Sequence, residues 1–173
     1  AGADSSLTDN TQETPLLAAV KEGHLDVIEE LVSQGIGGND VGITGKSPLA
    51  YACIANKQES IAKLMELGAN VCEPTDSGDC ALHIAAEYSD NEIILLLASR
   101  CEVSDWNTAR QSDNMTPLMV AAATDRTRTI HALHDIGVDF NYETHAGETA
   151  LMAASGAGSQ AAIRTLVDCG SSV

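Results

Sequence analysis

Apolar positions along this chain fall into two alternating textures. One is a short, almost continuous run of Leu and Ala, as in Leu16-Leu17-Ala18-Ala19-Val20 and Leu118-Met119-Val120-Ala121-Ala122. The other is a cluster spaced three and four residues apart: Ile28 with Leu31 and Val32, Ile61 with Leu64 and Met65, Ile163 with Leu166 and Val167. That spacing puts the apolar side chains on one face of a helix. Polar residues and Gly23 or Gly158 separate each run from its cluster, which predicts a helix, a turn and a second helix. Between one pair and the next lie stretches rich in Asn, Asp, Gly and Thr. They hold too little apolar sequence for a sheet and read as turns or short hairpins.

The pairs repeat in register. Thr14-Pro15-Leu16, Ser47-Pro48-Leu49, Cys80-Ala81-Leu82, Thr116-Pro117-Leu118 and Thr149-Ala150-Leu151 follow one another at 33, 33, 36 and 33 residues. Three residues after each Leu comes an Ala: Ala19, Ala52, Ala85, Ala121 and Ala154. A Thr or Ser hydroxyl there can accept a bond from a free backbone N–H at a helix start. Pro next to it sits where the missing N–H costs nothing. Gly35, Gly68, Gly137 and Gly170 follow the second clusters as left-handed C-terminal caps, with Cys101 in that place in the third unit. No unit can bury both of its stripes alone, so the expected fold is an all-α solenoid of five stacked units.

The sequence resembles the ankyrin-repeat family. The resemblance rests on the Thr-Pro-Leu and Ser-Pro-Leu motifs, on Ala81-Leu82-His83-Ile84-Ala85-Ala86, on Gly23-His24 and on Gly68-Ala69-Asn70-Val71. It covers nearly the whole chain, read as a flexible segment over 1–12 and a repeat domain over 13–173. The repeats run over 13–41, 42–74, 75–110, 111–143 and 144–173, with short hairpin-like finger loops between them. The third repeat departs from the pattern with Cys80-Ala81 for Thr-Pro and three extra residues before Thr116. No strongly polar last helix closes the array, so the chain reads as a fragment of a longer protein.

Composition narrows the function. The net charge is −16 from 25 acidic and 9 basic residues. Phosphate contact needs Lys and Arg on the facing surface, so nucleic acid and anionic membranes are poor partners. A basic protein or peptide is favoured, through an attraction that salt weakens. Aromatics are 3% of residues, so the core must be built on aliphatic side chains. No apolar run reaches the 18 or so residues of a membrane span, and Ala1 to Thr14 lacks the basic start and apolar stretch of a secretory signal. Cys53, Cys72, Cys80, Cys101 and Cys169 form no CxxC pair and suit free thiols in an intracellular, reducing setting.

The resemblance implies a non-enzymatic protein–protein interaction module that binds through its fingers and first helices. Mapped onto this chain, that surface includes Glu22, Asp76, Asp79, Glu87, Tyr88, Asp113, Met115 and Glu148, with Ile54, Ser77 and Thr124 among its neighbours. Trp106, in the elongated finger, either joins this surface as a hot spot or folds back over its own loop. Trp106, Tyr88, Glu87 and Asp79 together could receive a lysine-bearing tail, the basis of an alternative as a nuclear histone-tail reader. A second alternative is a regulatory or targeting domain of a larger enzyme, channel or transcription regulator. No cofactor, metal or small-molecule substrate is expected. His131, His134 and Asp135 lack further ligands, and His134 takes a position apolar in other repeats, so it is expected half-buried. Gly156-Ala157-Gly158-Ser159-Gln160-Ala161 fits a dinucleotide fingerprint by letter, but follows a helix where the fingerprint needs a strand. Arg126 and Arg128 read as a solvated spot.

Overall fold

The computed structural model describes residues 13–36, 45–76 and 78–172. The flexible segment expected over 1–12, and Ser77, lie outside these residues. The five predicted pairs are helices: α1 (Pro15–Glu22) with α2 (Leu25–Ser33), α3 (Pro48–Ile54) with α4 (Gln58–Glu66), α5 (Ala81–Tyr88) with α6 (Asn91–Ala98), α7 (Pro117–Ala123) with α8 (Thr127–Asp135), and α9 (Ala150–Ala157) with α10 (Gln160–Asp168). A 3-10 helix, Val103–Asn107, lies in the long fourth finger. No strand occurs among the described residues.

The first helices start as their residues dictate. Thr14 Oγ1 accepts from Leu17 N at 3.2 Å, and Ser47 Oγ from Ala50 N at 3.2 Å. Thr116 and Thr149 do the same for Met119 and Met152. The third repeat substitutes another device for the missing Thr: Cys80 N donates to His83 Nδ1 at 3.2 Å. The second helices end on Gly35, Gly68, Gly137 and Gly170, all with φ between 85° and 99°. There the following residue's N–H turns back to a carbonyl of the last turn, as Ala69 N does to Leu64 O.

Odd-numbered helices stack as one layer and even-numbered helices as a second, with one continuous core between them. Ala50, Ala52, Ala85, Ala86, Ala121 and Ala154 are fully buried, which lets the first helices approach closely. Ile28, Ile61, Ile94 and Ile130 close the core from the second layer, each wholly buried. Each such side chain contributes roughly 1.5–3 kcal/mol by leaving water.

Side chains also join each repeat to the preceding one through its backbone. The carbonyls of a helix's last turn have no partner within the helix. Ser60 Oγ donates to Val20 O, Ser89 Oγ to Cys53 O and Ser159 Oγ to Ala123 O, at 3.2, 3.0 and 2.8 Å. Arg126 Nη2 donates to Ser89 O at 2.7 Å, so this arginine is half-buried and structural rather than the solvated spot its sequence suggested. In the opposite direction, Asp125 Oδ1 accepts from Ala162 N in the first turn of α10.

The fingers pack on one another as well. Thr75 N donates to Asp79 O and Thr144 N to Glu148 O, closing tight turns of the kind expected. Gly45 and Gly78 hold φ of 69° and 81° at their tips. A Cβ on Gly45 would lie 2.7 Å from the Asp76 side chain, and one on Gly78 would lie 2.9 Å from Gln111 N. Only glycine permits both the conformation and the approach.

Candidate functional site

The expected site residues lie in the fingers and toward the C-terminal ends of the first helices α1 and α5. The structure divides the expected site residues into three groups.

The first group is locked. Arg110, in the fourth finger, reaches Asp79 of the third through Nη1 at 2.8 Å. Its Nε and Nη2 grip Asp113 in a bidentate pair at 2.6 and 2.7 Å. Its Nη2 also lies 3.6 Å from Met115 Sδ. Asp113, and then Asp79, hold the guanidinium firmly protonated. In return Arg110 depresses the Asp113 carboxyl below its ordinary range. Asp79 and Arg110 side chains are 14% and 18% exposed. Two of the expected acidic contacts are thus already satisfied within the protein. Met115 is half-buried in the same knot: its carbonyl accepts from Arg110 N at 3.0 Å and lies 3.0 Å from His83 Nε2.

His83 lies under this knot. Its Nδ1 accepts from Cys80 N, which leaves Nε2 to donate to Met115 O in the next repeat. Burial pushes its pKa below the usual imidazole value and favours the neutral ring this bonding requires. Burial also pushes the thiol pKa of Cys53 and Cys72 up to about 12 and that of Cys101 up to about 11. All five cysteines are free.

Trp106 requires a correction. It is 1% exposed and part of the core. The three additional residues of the finger allow the 3-10 turn that folds the ring inward against α7. Trp106 therefore offers a partner no surface, and the lysine-receiving pair with Tyr88 does not form.

The remaining residues are accessible. Glu22, Asp76 and Glu148 are exposed and Glu87 is half-buried; none makes an ion pair among the described residues. Tyr88 is 50% exposed, and the neighbouring Glu87 raises its pKa. Ile54, one repeat earlier, is 38% exposed. The Ser89–Cys53 bond ties together the helix ends that carry these two side chains. The structure thus brings Glu22, Ile54, Glu87 and Tyr88 onto consecutive helix ends, with Asp76 and Glu148 at finger tips. Arg110 was missed by sequence reasoning. Its partners are three and 31 residues away, and only the finger stacking brings the distant one into reach.

Elsewhere, a polar hollow of about 520 Å³ lies where the helix–helix turns of the third and fourth repeats meet, lined by Asp90, Glu92, Arg126 and Arg128 among others. His134, expected half-buried, is exposed and sits edge-on to Phe140 with ring centres 5.6 Å apart. Among the described residues no three of His, Cys, Asp and Glu converge as a metal site would need. No described helix is long and apolar enough to cross a membrane. The fingerprint-like glycines lie at the end of α9, with Gly158 as its left-handed cap.

A family model for ankyrin repeats matches three times, over residues 1–75, 36–107 and 82–173. Ankyrin repeat and SOCS box protein 16 is 33% identical in Mus musculus and 31% in Homo sapiens, each across 95% of this chain. The B-cell lymphoma 3 protein homolog of Mus musculus is 26% identical across 94%. The chain spans only 37–38% of the length of these relatives. The crystal structure of the ankyrin repeat domain of Bcl-3, a unique member of the IkappaB protein family, superposes with a TM-score of 0.81 at 24% identity. That superposition covers 99% of this chain and 76% of the other. Stacked helix pairs, capped starts and projecting fingers agree with the family model throughout, and the chain belongs to the ankyrin-repeat family, whose domains are generally protein–protein interaction modules.

Proposed function

We infer that this chain is a non-catalytic module that takes an extended protein segment carrying both cationic and apolar side chains. The observation that carries this reading is the row Glu22, Ile54, Glu87 and Tyr88. There, exposed apolar surface stands among carboxylates that make no ion pair among the described residues. A cation can approach Glu22 and Glu87 while an aliphatic side chain rests on Ile54 and the Tyr88 ring. Asp76 and Glu148 extend the acidic character along the fingers. Asp79 and Asp113 contribute structure, because Arg110 already neutralises them. An intracellular setting belongs to the same reading, supported by five free cysteines. The histone-tail alternative is not retained, since its second ring, Trp106, is buried.

The test uses a fluorescein-labelled peptide of alternating Lys and Leu, read by anisotropy at low and physiological salt, against a Glu–Leu control. The wild type should bind the Lys–Leu peptide alone, and more weakly as salt rises. Glu22→Lys combined with Glu87→Lys should weaken binding at least tenfold and flatten the salt dependence. Equal affinity in the double variant would overturn this assignment of the surface.

A further inference from the structure

The hollow between the turns of the third and fourth repeats differs from the corresponding joints on either side of it. At those joints a side chain of one repeat caps the start of the next second helix. Asn56 Oδ1 accepts from Asp90 N at 3.1 Å, just before α6, and Asp125 Oδ1 accepts from Ala162 N at 2.7 Å, in the first turn of α10. Ser89 holds that register before α8, but its hydroxyl turns back to Cys53 O. Arg128 N and Thr129 N, the latter corresponding to Ala162 N, therefore have no acceptor among the described residues.

Free amides at a helix start attract anions. That alone does not single out α8, because α4 starts bare too, with Gly23 at the same register. A second observation does. Thr129 is 2% exposed and lines the hollow, yet its hydroxyl makes no hydrogen bond among the described residues. Ser60, at the same position two repeats earlier, donates to Val20 O. A buried side chain with an unbonded hydroxyl is costly unless a partner reaches it, and here the hollow is the way in.

Cations complete the donor set. Arg126 is fixed at the wall by its bond to Ser89 O, and Arg128 stands exposed with no ion pair among the described residues. Acids line the hollow as well. Asp90 is engaged by Asn56 and Asp125 by Ala162 N, which leaves Glu92 as the carboxylate that opposes an anion.

We propose that this hollow is a site for a phosphoryl dianion, held by Arg128 N, Thr129 N, the Thr129 hydroxyl and the Arg128 guanidinium. Two amides, a hydroxyl and a guanidinium suit the several oxygens of a tetrahedral oxyanion, whereas a carboxylate would leave donors unused. The hollow, of about 520 Å³, is open and roomier than a lone phosphate requires, so it admits the residue that carries the group: a phosphorylated Ser or Thr of a protein segment. The site is separate from the row of Glu22, Ile54, Glu87 and Tyr88 and does not depend on what that row binds.

The experiment reads the anisotropy of a fluorescein-labelled Gly–Ser peptide with one phosphoserine, against the same peptide unphosphorylated, with inorganic phosphate as competitor. The chain should bind the phosphopeptide about tenfold more tightly than the control. Arg128→Gln should weaken that binding about tenfold and Thr129→Val about fivefold, while Glu92→Gln should tighten it about threefold. Arg128 and Glu92 are exposed, so their variants test the site even if Thr129→Val lowers the melting temperature. Inorganic phosphate should compete only at concentrations far above the Kd of the phosphopeptide. Competition at equal concentration would keep the phosphoryl site and overturn its occupation by a protein segment. Equal binding of the two peptides overturns the proposal, as does wild-type affinity in both Arg128→Gln and Thr129→Val.

Discussion

The junction between the third and fourth repeats and the outer face of the fifth use the same repeat positions to opposite effect. At the junction, His83 bonds to the next repeat, Gly78 touches the next finger, and Trp106 fills the space beneath that finger. On the outer face, Met152 takes the His83 position and Gly147 the Gly78 position, and neither is covered. The difference teaches that a motif residue has no fixed energetic worth here. Its contribution is set by the neighbour stacked on it, as expected of an array held by nearest-neighbour contacts.

Substitutions at matched sites can break that comparison. The largest contrast should come from large apolar side chains. Trp106→Ala should cost about 3–5 kcal/mol in urea unfolding, because it empties a closed site. Met152→Ala should stay within about 0.5 kcal/mol. Comparable losses for both would mean that covering does not govern the energetics.

The glycine pair should differ by less. Gly147→Ala bears only the left-handed penalty, about 1–2 kcal/mol. Gly78→Ala bears that penalty and also forces a Cβ onto Gln111 N, so its melting temperature should fall further. Equal melting temperatures would show that the fingers separate without cost.

The smallest effect is that of pH. The buried His83 has a depressed pKa, so the unfolded chain takes up its proton first as pH falls. Its contribution is complete above the unfolded imidazole value of about 6.5 and declines as pH drops below it, by at most about 1.4 kcal/mol per pH unit. Asp113, depressed by Arg110, adds a second decline in the carboxylate range. His83→Gln should flatten the first decline and leave the second. Since Met152 replaces His83 in the last repeat, the titration reports the junction and not the outer face.

The fold was legible because its determinants are local. Caps, proline positions, the 3.6-residue stripe and the terminal glycines all act within one helix or turn, and each repeat states them again. The site was legible only in part. Glu22, Asp76, Tyr88 and Glu148 are exposed, as a contact residue must be. Asp79 and Asp113 were read as available charge because nothing in the spacing reveals Arg110 between them. The course of the elongated finger, and with it the burial of Trp106, depends on what three added residues do in space. The resemblance implies that the His83 side chain bonds to nearby backbone, and it does so on both ring nitrogens, to Cys80 N in its own repeat and to Met115 O in the next.

The bonds from Ser60, Ser89, Arg126 and Ser159 all end on main-chain carbonyls, which exist whatever side chain the acceptor residue carries. Each repeat thus plugs into a socket that substitution in its neighbour cannot remove. These particular joints therefore tolerate a change of side chain at the acceptor, unlike the Arg110–Asp79 pair, which needs both of its side chains. The three additional residues of the fourth finger obey the same rule: they lengthen a projection and leave every socket in register.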